Sequence, residues 1–305
     1  MKTSLAVAVL LALGLPGLSA PAWAGKQETM LPAASADARL LAIADTEYAW
    51  RHADAPGQPQ VAGRLADVSE VAQQARLAGW QQVLAQLDAI DQAALSTEGR
   101  VNYAVYRAQI LDLIDAVNQR TYQMPFNSDS SFWSNLGFMA QRRLADVQQA
   151  EDYIAVLEDV PRHFDQQITN MRAGLARGFS VPRAVLDGRE VSIAMVAGLK
   201  DPVASPLYAP LTKLPASIPA AEQARLQARA RAAIGQKVVP AFATLLTFFN
   251  NEYVPQARTT LAAEAMPDGE AFYRSQIREY TTLDLSPAQI HQIGLAEVAR
   301  IRAEM

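Results

Sequence analysis

The sequence contains no cysteine, and only three of its 305 residues are histidine: His52, His163 and His291. The absence of cysteine excludes disulfides, thiolate nucleophiles and zinc sites built on cysteine. The histidines are separated by more than 100 residues, and none is part of an H-E-x-x-H string. A metal site within this chain would therefore have to be assembled from distant residues.

The sequence has no surplus of basic residues: 27 Lys and Arg are outnumbered by 31 Asp and Glu, which gives a net charge of −4. The arginine clusters Arg142-Arg143 and Arg225–Arg231 lie in polar, helix-like stretches and are interpreted as solvated faces. This balance argues against nucleic acid as a partner. No G-x-S-x-G, S-x-x-K or glycine-rich phosphate loop is present, so no catalytic residue is predicted.

The first 24 residues have the pattern of a secretory signal peptide. Lys2 precedes an apolar run from Leu5 to Leu15, and Ala22-Trp23-Ala24 stands before Gly25. This predicts cleavage between Ala24 and Gly25, a periplasmic or secreted protein, and no membrane contact after cleavage. The alternative is an N-terminal membrane anchor. No later charge-free segment of transmembrane length is expected.

The remaining sequence predicts an all-α fold of one large domain or two, because half of the residues are hydrophobic and recur with helical spacing. The predicted helical windows are 37–52, 71–90, 95–117, 147–175, 220–236 and 287–305. Residues 238–249 are strongly apolar around Pro240, and the Asp268-Gly269 turn is expected to lead into a helix that contains Phe272, Tyr273 and Ile277. Inward faces are assigned to Leu40, Leu41, Ala44 and Tyr48 in the first window, to Val71 in the second, and to Val101 and Val105 in the third. Asp37 is the predicted N-cap of the first helix. Pro161 is expected to kink or split the helix that contains it.

Two stretches between these windows are less regular. Val181-Pro182 is expected to open a helix, with Val191–Val196 as either helix or a short strand. Five prolines between Asp201 and Ala220 predict a long surface connection over residues 201–219.

The last predicted helix starts strongly, at Ser286-Pro287, and continues to Met305 without a C-cap glycine. Ile290, Ile293, Val298 and Ile301 form an apolar stripe along it. Either this helix docks on the core of the same chain, or the chain is the N-terminal part of a longer protein. In the second case we expect an exposed apolar patch.

Several local strings, in this order and spacing, resemble the DUF885 family of bacterial proteins. They are Gly178–Arg183 (GFSVPR), Tyr253-Val254-Pro255, Ala257-Arg258, Asp268–Arg274 (DGEAFYR) and Leu285–Leu295 (LSPAQIHQIGL). The resemblance covers the chain from about residue 35 to the end. It implies a helical, gluzincin-like zinc metallopeptidase of the carboxypeptidase type, about twice this length.

In such relatives an H-E-x-x-P-G-H motif lies in the second half, downstream of the I-H-Q-x-G-L string. The matching positions are absent here, so the resemblance assigns no metal ligand and no catalytic residue to this chain. It implies that residues 25–305 are an incomplete family region that forms one wall of a substrate cleft. Zinc and a peptide substrate are implied for the full-length protein only. The alternative is a non-catalytic periplasmic helical binding or scaffold protein, and the oligomeric state is left open.

Three residues are candidates for lining such a cleft. Arg183 and Arg274 lie at predicted helix starts, where a guanidinium can grip a peptide carboxylate with two hydrogen bonds. Tyr273 can supply a hydroxyl to the same cleft. The structural alternatives are that Arg274 pairs with a neighbouring acid and that Tyr273 belongs to the core. We expect this chain alone to bind no stoichiometric zinc and to hydrolyse no peptide.

Overall fold

A computed structural model describes residues 35–53 and 63–305, and within them the fold is all-α, as predicted. The α-helices are α1 Ala36–Ala53, α2 Glu70–Asp88, α3 Thr97–Asn118, α4 Leu136–Met139, α5 Val147–Ala176, α6 Glu190–Ala197, α7 Ala220–Ala233, α8 Val239–Phe248, α9 Val254–Gln256, α10 Gly269–Thr281 and α11 Pro287–Glu304. The β pairing in these ranges is one isolated bridge, between Phe126 and Ser131. The predicted signal peptide and its cleavage point at Ala24 and Gly25 lie outside the described residues.

Helices α1, α2 and α3 pack around a small core of their own, which includes Leu40, Leu87, Ile110 and Ile114. A buried carboxylate, Glu47, joins all three helices. It accepts hydrogen bonds from Trp80 Nε1 of α2 at 3.0 Å and from the Tyr106 hydroxyl of α3 at 3.2 Å. Arg51 Nε lies 2.9 Å from the same carboxylate. Burial and the adjacent Glu47 charge raise the pKa of Tyr106, so its hydroxyl keeps the proton that it donates.

Several predicted core positions in this unit are wrong. Leu41, Tyr48, Val71, Val101 and Val105 are between 56% and 80% exposed. Their apolar character fits the helical period, but the three-helix core covers only the face of each helix that carries its buried residues, such as Leu40, Leu87 and Ile110. The first helix also begins one residue earlier than predicted.

The predicted N-cap of α1 is likewise wrong. Ser35 Oγ, not Asp37, accepts the hydrogen bond from the backbone N–H of Ala38, at 3.2 Å. Asp37 lies in the first turn, and its carboxylate accepts from the backbone N–H of Ser96 at 3.3 Å. A carboxylate in that turn is favoured by the helix dipole, and here it also ties α1 to the start of α3.

The main core lies between α5 and the long helix Ala220–Gln256, which runs through α7, α8 and α9. Pro161 does not split α5, which is continuous over 30 residues. An interior proline costs roughly 3 kcal/mol in a helix. Leu157, Val160 and Phe164 around it are at most 1% exposed, and this packing offsets the cost.

The long helix accommodates two prolines by a different means, a widened turn before each of them. A π-helical segment, Ile234–Val238, precedes Pro240, and a second, Phe249–Tyr253, precedes Pro255. Proline has no N–H to donate and clashes with the carbonyl one turn earlier, and a wider turn relieves that clash.

Within the described ranges, this long helix is the one that is long and apolar enough to cross a membrane by length and composition. Its charge-free run is residues 238–251, between Lys237 and Glu252, which is shorter than the roughly 20 residues of a bilayer span. The expectation of no later charge-free segment of that length is therefore not contradicted. The apolar residues have a different use here, because Leu226, Phe242 and Leu245 are buried in the core against α5 and α6.

The proline-rich stretch is not the predicted surface connection. It forms two short 3-10 helices, Pro202–Ala204 and Pro206–Lys213, and Leu207, Tyr208 and Leu211 are buried. The Tyr153 hydroxyl of α5 donates to the Leu207 carbonyl at 2.7 Å. The prolines prevent longer helices, but they do not prevent burial. The buried side chains of Leu207, Tyr208 and Leu211 pack this stretch into the main core.

The strand alternative for Val191–Val196 is also wrong, because these residues lie in α6. The expected helix at Val181-Pro182 is a single 3-10 turn, Arg183–Val185.

The C-terminal helices begin where the sequence predicts. Asp268 has a φ of 54°, and a Cβ on Gly269 would lie 2.1 Å from the Ala263 carbonyl oxygen, so glycine is needed where α10 starts. Ser286 and Gln289 form a reciprocal capping box at the start of α11. No residue of α11 is buried, and of its apolar stripe Ile293, Val298 and Ile301 are exposed while Ile290 is half-buried.

Candidate functional site

Arg183, the first predicted cleft residue, holds the end of the long helix. Its Nη2 donates to the carbonyl oxygens of Pro255 and Ala257, the latter at 3.1 Å, and its backbone N–H donates to the Arg258 carbonyl at 2.8 Å. The last carbonyls of a helix have no partner within the helix, and a cation there is favoured by the helix dipole. The guanidinium therefore has a structural role that the sequence did not reveal.

Tyr273 and Arg274 lie on the exposed side of α10. Arg274 Nη2 is 2.9 Å from Glu270 Oε1, and both side chains are more than half exposed. The alternative of pairing with a neighbouring acid is confirmed. Tyr273 is 44% exposed, so its assignment to the core is wrong.

Over the described part of the chain, no hydrogen bond or ion pair joins any two of Arg183, Tyr273 and Arg274. Their role in lining a cleft stays a prediction.

The histidines do not form a metal site. His52 Nδ1 lies 2.8 Å from the Tyr48 carbonyl oxygen, and its ring stacks on the Tyr48 ring. His291 is exposed on α11. Within residues 35–53 and 63–305, no group of three or more His, Asp or Glu side chains is placed to hold a metal ion. The residues present here do not fit zinc, and no reaction step is assigned to it.

His163 helps to hold an extended segment, residues 65–68, against α5. Its Nδ1 lies 3.0 Å from the Ala66 carbonyl oxygen. Leu65 N–H donates to Asp159, and Asn170 Nδ2 donates to the Val68 carbonyl at 2.7 Å. Polar side chains spaced one or two turns apart on α5 thus provide hydrogen-bond partners for the backbone N–H and C=O groups of residues 65–68.

The environment of His163 fixes its protonation. Burial lowers the pKa of the imidazole, which makes the neutral ring the form present at pH 7. With the proton on Nδ1 and donated to Ala66, Nε2 accepts from Gln167 Nε2 at 3.3 Å. A pocket of about 410 Å³ lies beside this ring, with apolar walls that include Phe132, Leu136 and Val156. Both ring nitrogens are already used, so the geometry favours a structural histidine over a general base.

The more open site is a groove of about 630 Å³ between α1 and α3, here called the α1/α3 groove. Its lining comprises Asp37, Leu40, Leu41, Ala44, Ser96, Glu98, Gly99, Asn102, Val105, Tyr106 and Gln109. Leu40, Leu41, Ala44 and Val105 supply its aliphatic lining, and the carboxylates of Asp37 and Glu98 lie in the first turns of α1 and α3. Sequence reasoning missed it because Leu41 and Val105 were assigned to the core. The adjacent Leu40 and Leu41 were the available signal, since neighbours on a helix point to different faces.

The family model described as "Bacterial protein of unknown function (DUF885)" matches residues 52–305. The chain belongs to this family. No curated protein matches it.

Among solved structures, the DUF885 chain is similar to "the putative lipoprotein from Colwellia psychrerythraea", with a TM-score of 0.71 and 18% sequence identity. The match covers 87% of this chain and 49% of that protein, so the chain spans about half the length of its structural relative. At this identity the similarity shows a shared fold and nothing about activity.

Proposed function

We propose that this chain is the N-terminal helical half of a secreted, zinc-dependent peptidase of the carboxypeptidase type. It forms one wall of the substrate cleft, and the zinc ligands belong to residues outside these 305. The observation that carries the proposal is the state of α11. Its start is fully capped, yet none of its residues is buried, and the apolar side chains of Ile293, Val298 and Ile301 are about half exposed. An amphipathic helix of this kind needs a further partner.

One comparison supports a larger protein. The solved relative has about twice the length of this chain, and the match covers 49% of it. In this proposal the chain contributes shape and binding contacts to the cleft, and the chemistry comes from the other half.

Export is part of the same proposal. The first 24 residues have the pattern of a signal peptide, and the solved relative is described as a "putative lipoprotein". Because the sequence has no cysteine, lipid attachment beside the cleavage point is excluded for this chain.

A second candidate is a non-catalytic helical binding protein of the periplasm. It is favoured by the absence of a metal-binding cluster among the described residues and by the presence of an open groove. In that case the groove is the functional site by itself.

The gene sequence downstream of Met305 separates the two. An in-frame H-E-x-x-x-G-H string within the next few hundred codons, with chelator-sensitive peptide hydrolysis by the encoded protein, is the expected result. A stop codon directly after Met305 contradicts the peptidase proposal and supports the binding protein.

A further inference from the structure

The α1/α3 groove combines an apolar surface with charge of one sign. Leu41 of α1 and Val105 of α3 both line it and are 62% and 66% exposed. Exposed apolar side chains grouped in a groove favour a ligand with apolar groups of its own. Asn102 and Gln109 on the same side of α3 supply amide groups for hydrogen bonds to a backbone.

The charge stands at the end of the groove where α1 and α3 both begin. Asp37 and Glu98 lie in the first turns of these helices. Two helix N-termini contribute roughly half a positive charge each. The two carboxylates outweigh that sum and leave this end negative. No lysine or arginine is among the described residues that line the groove.

The position of Asp37 depends on a glycine. A Cβ on Gly99 would lie 1.9 Å from Asp37 Oδ1, so only glycine at this position lets the carboxylate rest against α3. Its hydrogen bond from Ser96 N–H keeps it there. The negative end is therefore held in place by both helices.

The dimensions suit an extended peptide. From Ser96 to Gln109 the groove follows α3 for about 20 Å, at a rise of 1.5 Å per residue. An extended chain rises about 3.3 Å per residue, so roughly six residues span this length.

We infer that the α1/α3 groove binds extended peptides that carry apolar side chains along their length and lysine or arginine at one end. As a substrate class this rests on the proposed function, because it assigns such peptides to the cleft of the peptidase. The apolar side chains pack against Leu41 and Val105, and the cationic groups lie beside Asp37 and Glu98.

The test measures binding to this chain with no catalysis involved. The probe is a fluorescein-labelled hexapeptide of leucine and alanine residues that ends in two lysines, and the comparison peptide carries glutamate in place of lysine. We expect saturable binding of the lysine peptide by fluorescence anisotropy, weakened by added salt, and at least tenfold weaker binding of the glutamate peptide.

Matched variants locate the site. Glu98→Lys is compared with Glu70→Lys, because both residues are acids in the first turn of a helix. Val105→Ser is compared with Val71→Ser, because both valines are exposed and Val71 does not line the groove. We expect Glu98→Lys to raise Kd about tenfold and Val105→Ser three- to tenfold, and both controls to stay within twofold. Far-UV circular dichroism checks that all four variants remain folded.

Equal binding of the two peptides, equal losses in groove and control variants, or no saturable binding would overturn the inference. A dimer that Val105→Ser dissociates would also overturn it, since a second copy would then fill the groove. Because the readout requires neither zinc nor hydrolysis, its failure is distinguishable from failure of the peptidase proposal.

Discussion

The Nδ1 atom of His163 lies 3.0 Å from the carbonyl oxygen of Ala66, at the centre of the contacts that hold residues 65–68 on α5. The ring is buried, and Gln167 occupies its other nitrogen. Protonation of this ring would turn an accepting nitrogen into a donor next to the Gln167 amide. The contact therefore links the stability of the fold to pH.

We predict that the free energy of unfolding falls as the pH falls below about 6.5. Burial lowers the pKa of His163 in the folded state, so the unfolded chain takes up the proton first and gains from it. His163→Gln should remove most of this pH dependence and cost about 1–3 kcal/mol at pH 7.5 through weaker hydrogen bonds. Urea unfolding at several pH values between 5 and 8 measures both effects.

His291→Gln, on exposed α11, is the matched control and should leave the pH profile as in the wild type. A His163→Gln protein whose pH profile coincides with that of the wild type would refute the assignment.

The buried Glu47 carboxylate should be among the costliest side chains to remove. Glu47→Ala leaves Trp80 Nε1, the Tyr106 hydroxyl and Arg51 without their shared partner. We expect a loss of about 3 kcal/mol in the free energy of unfolding. Glu264→Ala, at an exposed acid, should change it by less than about 0.5 kcal/mol. Similar losses in the two variants would contradict the role of Glu47.

The two arginines predicted to line a cleft should contribute differently to the free energy of unfolding. Arg183→Ala removes the donor to the Pro255 and Ala257 carbonyls, and we expect a loss of about 1–2 kcal/mol. Arg274→Ala removes only an exposed pair with Glu270, which is worth less than about 1 kcal/mol. Thermal unfolding of both variants checks this, and equal changes in Tm would be the contrary result.

Asp112 is expected to weaken the fold at neutral pH. Burial, followed by the nearby Glu279 and Asp115 carboxylates, raises its pKa above the ordinary value. The folded chain binds this proton more readily than the unfolded chain, so the group lowers stability once the pH exceeds both pKa values. Asp112→Asn should therefore stabilise by a few tenths to about 1 kcal/mol at pH 7, discounted for solvent screening.

That gain should vanish near pH 3, where Asp112 is protonated in both states. Denaturant titrations at the two pH values provide the measurement. A variant that is equally or less stable than the wild type at pH 7 would contradict this reading of the cluster.

Local signals in the sequence were sufficient to place the starts of the last two helices. The turn at Asp268-Gly269 and the cap at Ser286-Pro287 each depend on residues within one turn. Burial was harder, since the same 3.6-residue period fits the covered face of α1 and the open face that contains Leu41. The proline-rich stretch was misread because its burial depends on packing against α5, which no local pattern records.

The candidate site was less predictable for the same reason. The partners of Arg183 lie 72 and 74 residues away in the sequence, so its structural role was invisible from its neighbours. The groove requires knowledge of which faces of α1 and α3 meet, and only the folded chain supplies that.

The most direct test of the central claim is zinc analysis combined with peptide hydrolysis, on this chain and on the protein encoded by the whole reading frame. After dialysis, we predict less than about 0.1 zinc per molecule and no hydrolysis for the chain, because a zinc site needs roughly four converging ligands. For the whole protein we predict about one zinc per molecule and hydrolysis that a chelator abolishes. One tightly held zinc in this chain alone, or a whole protein with neither zinc nor hydrolysis, would contradict the account.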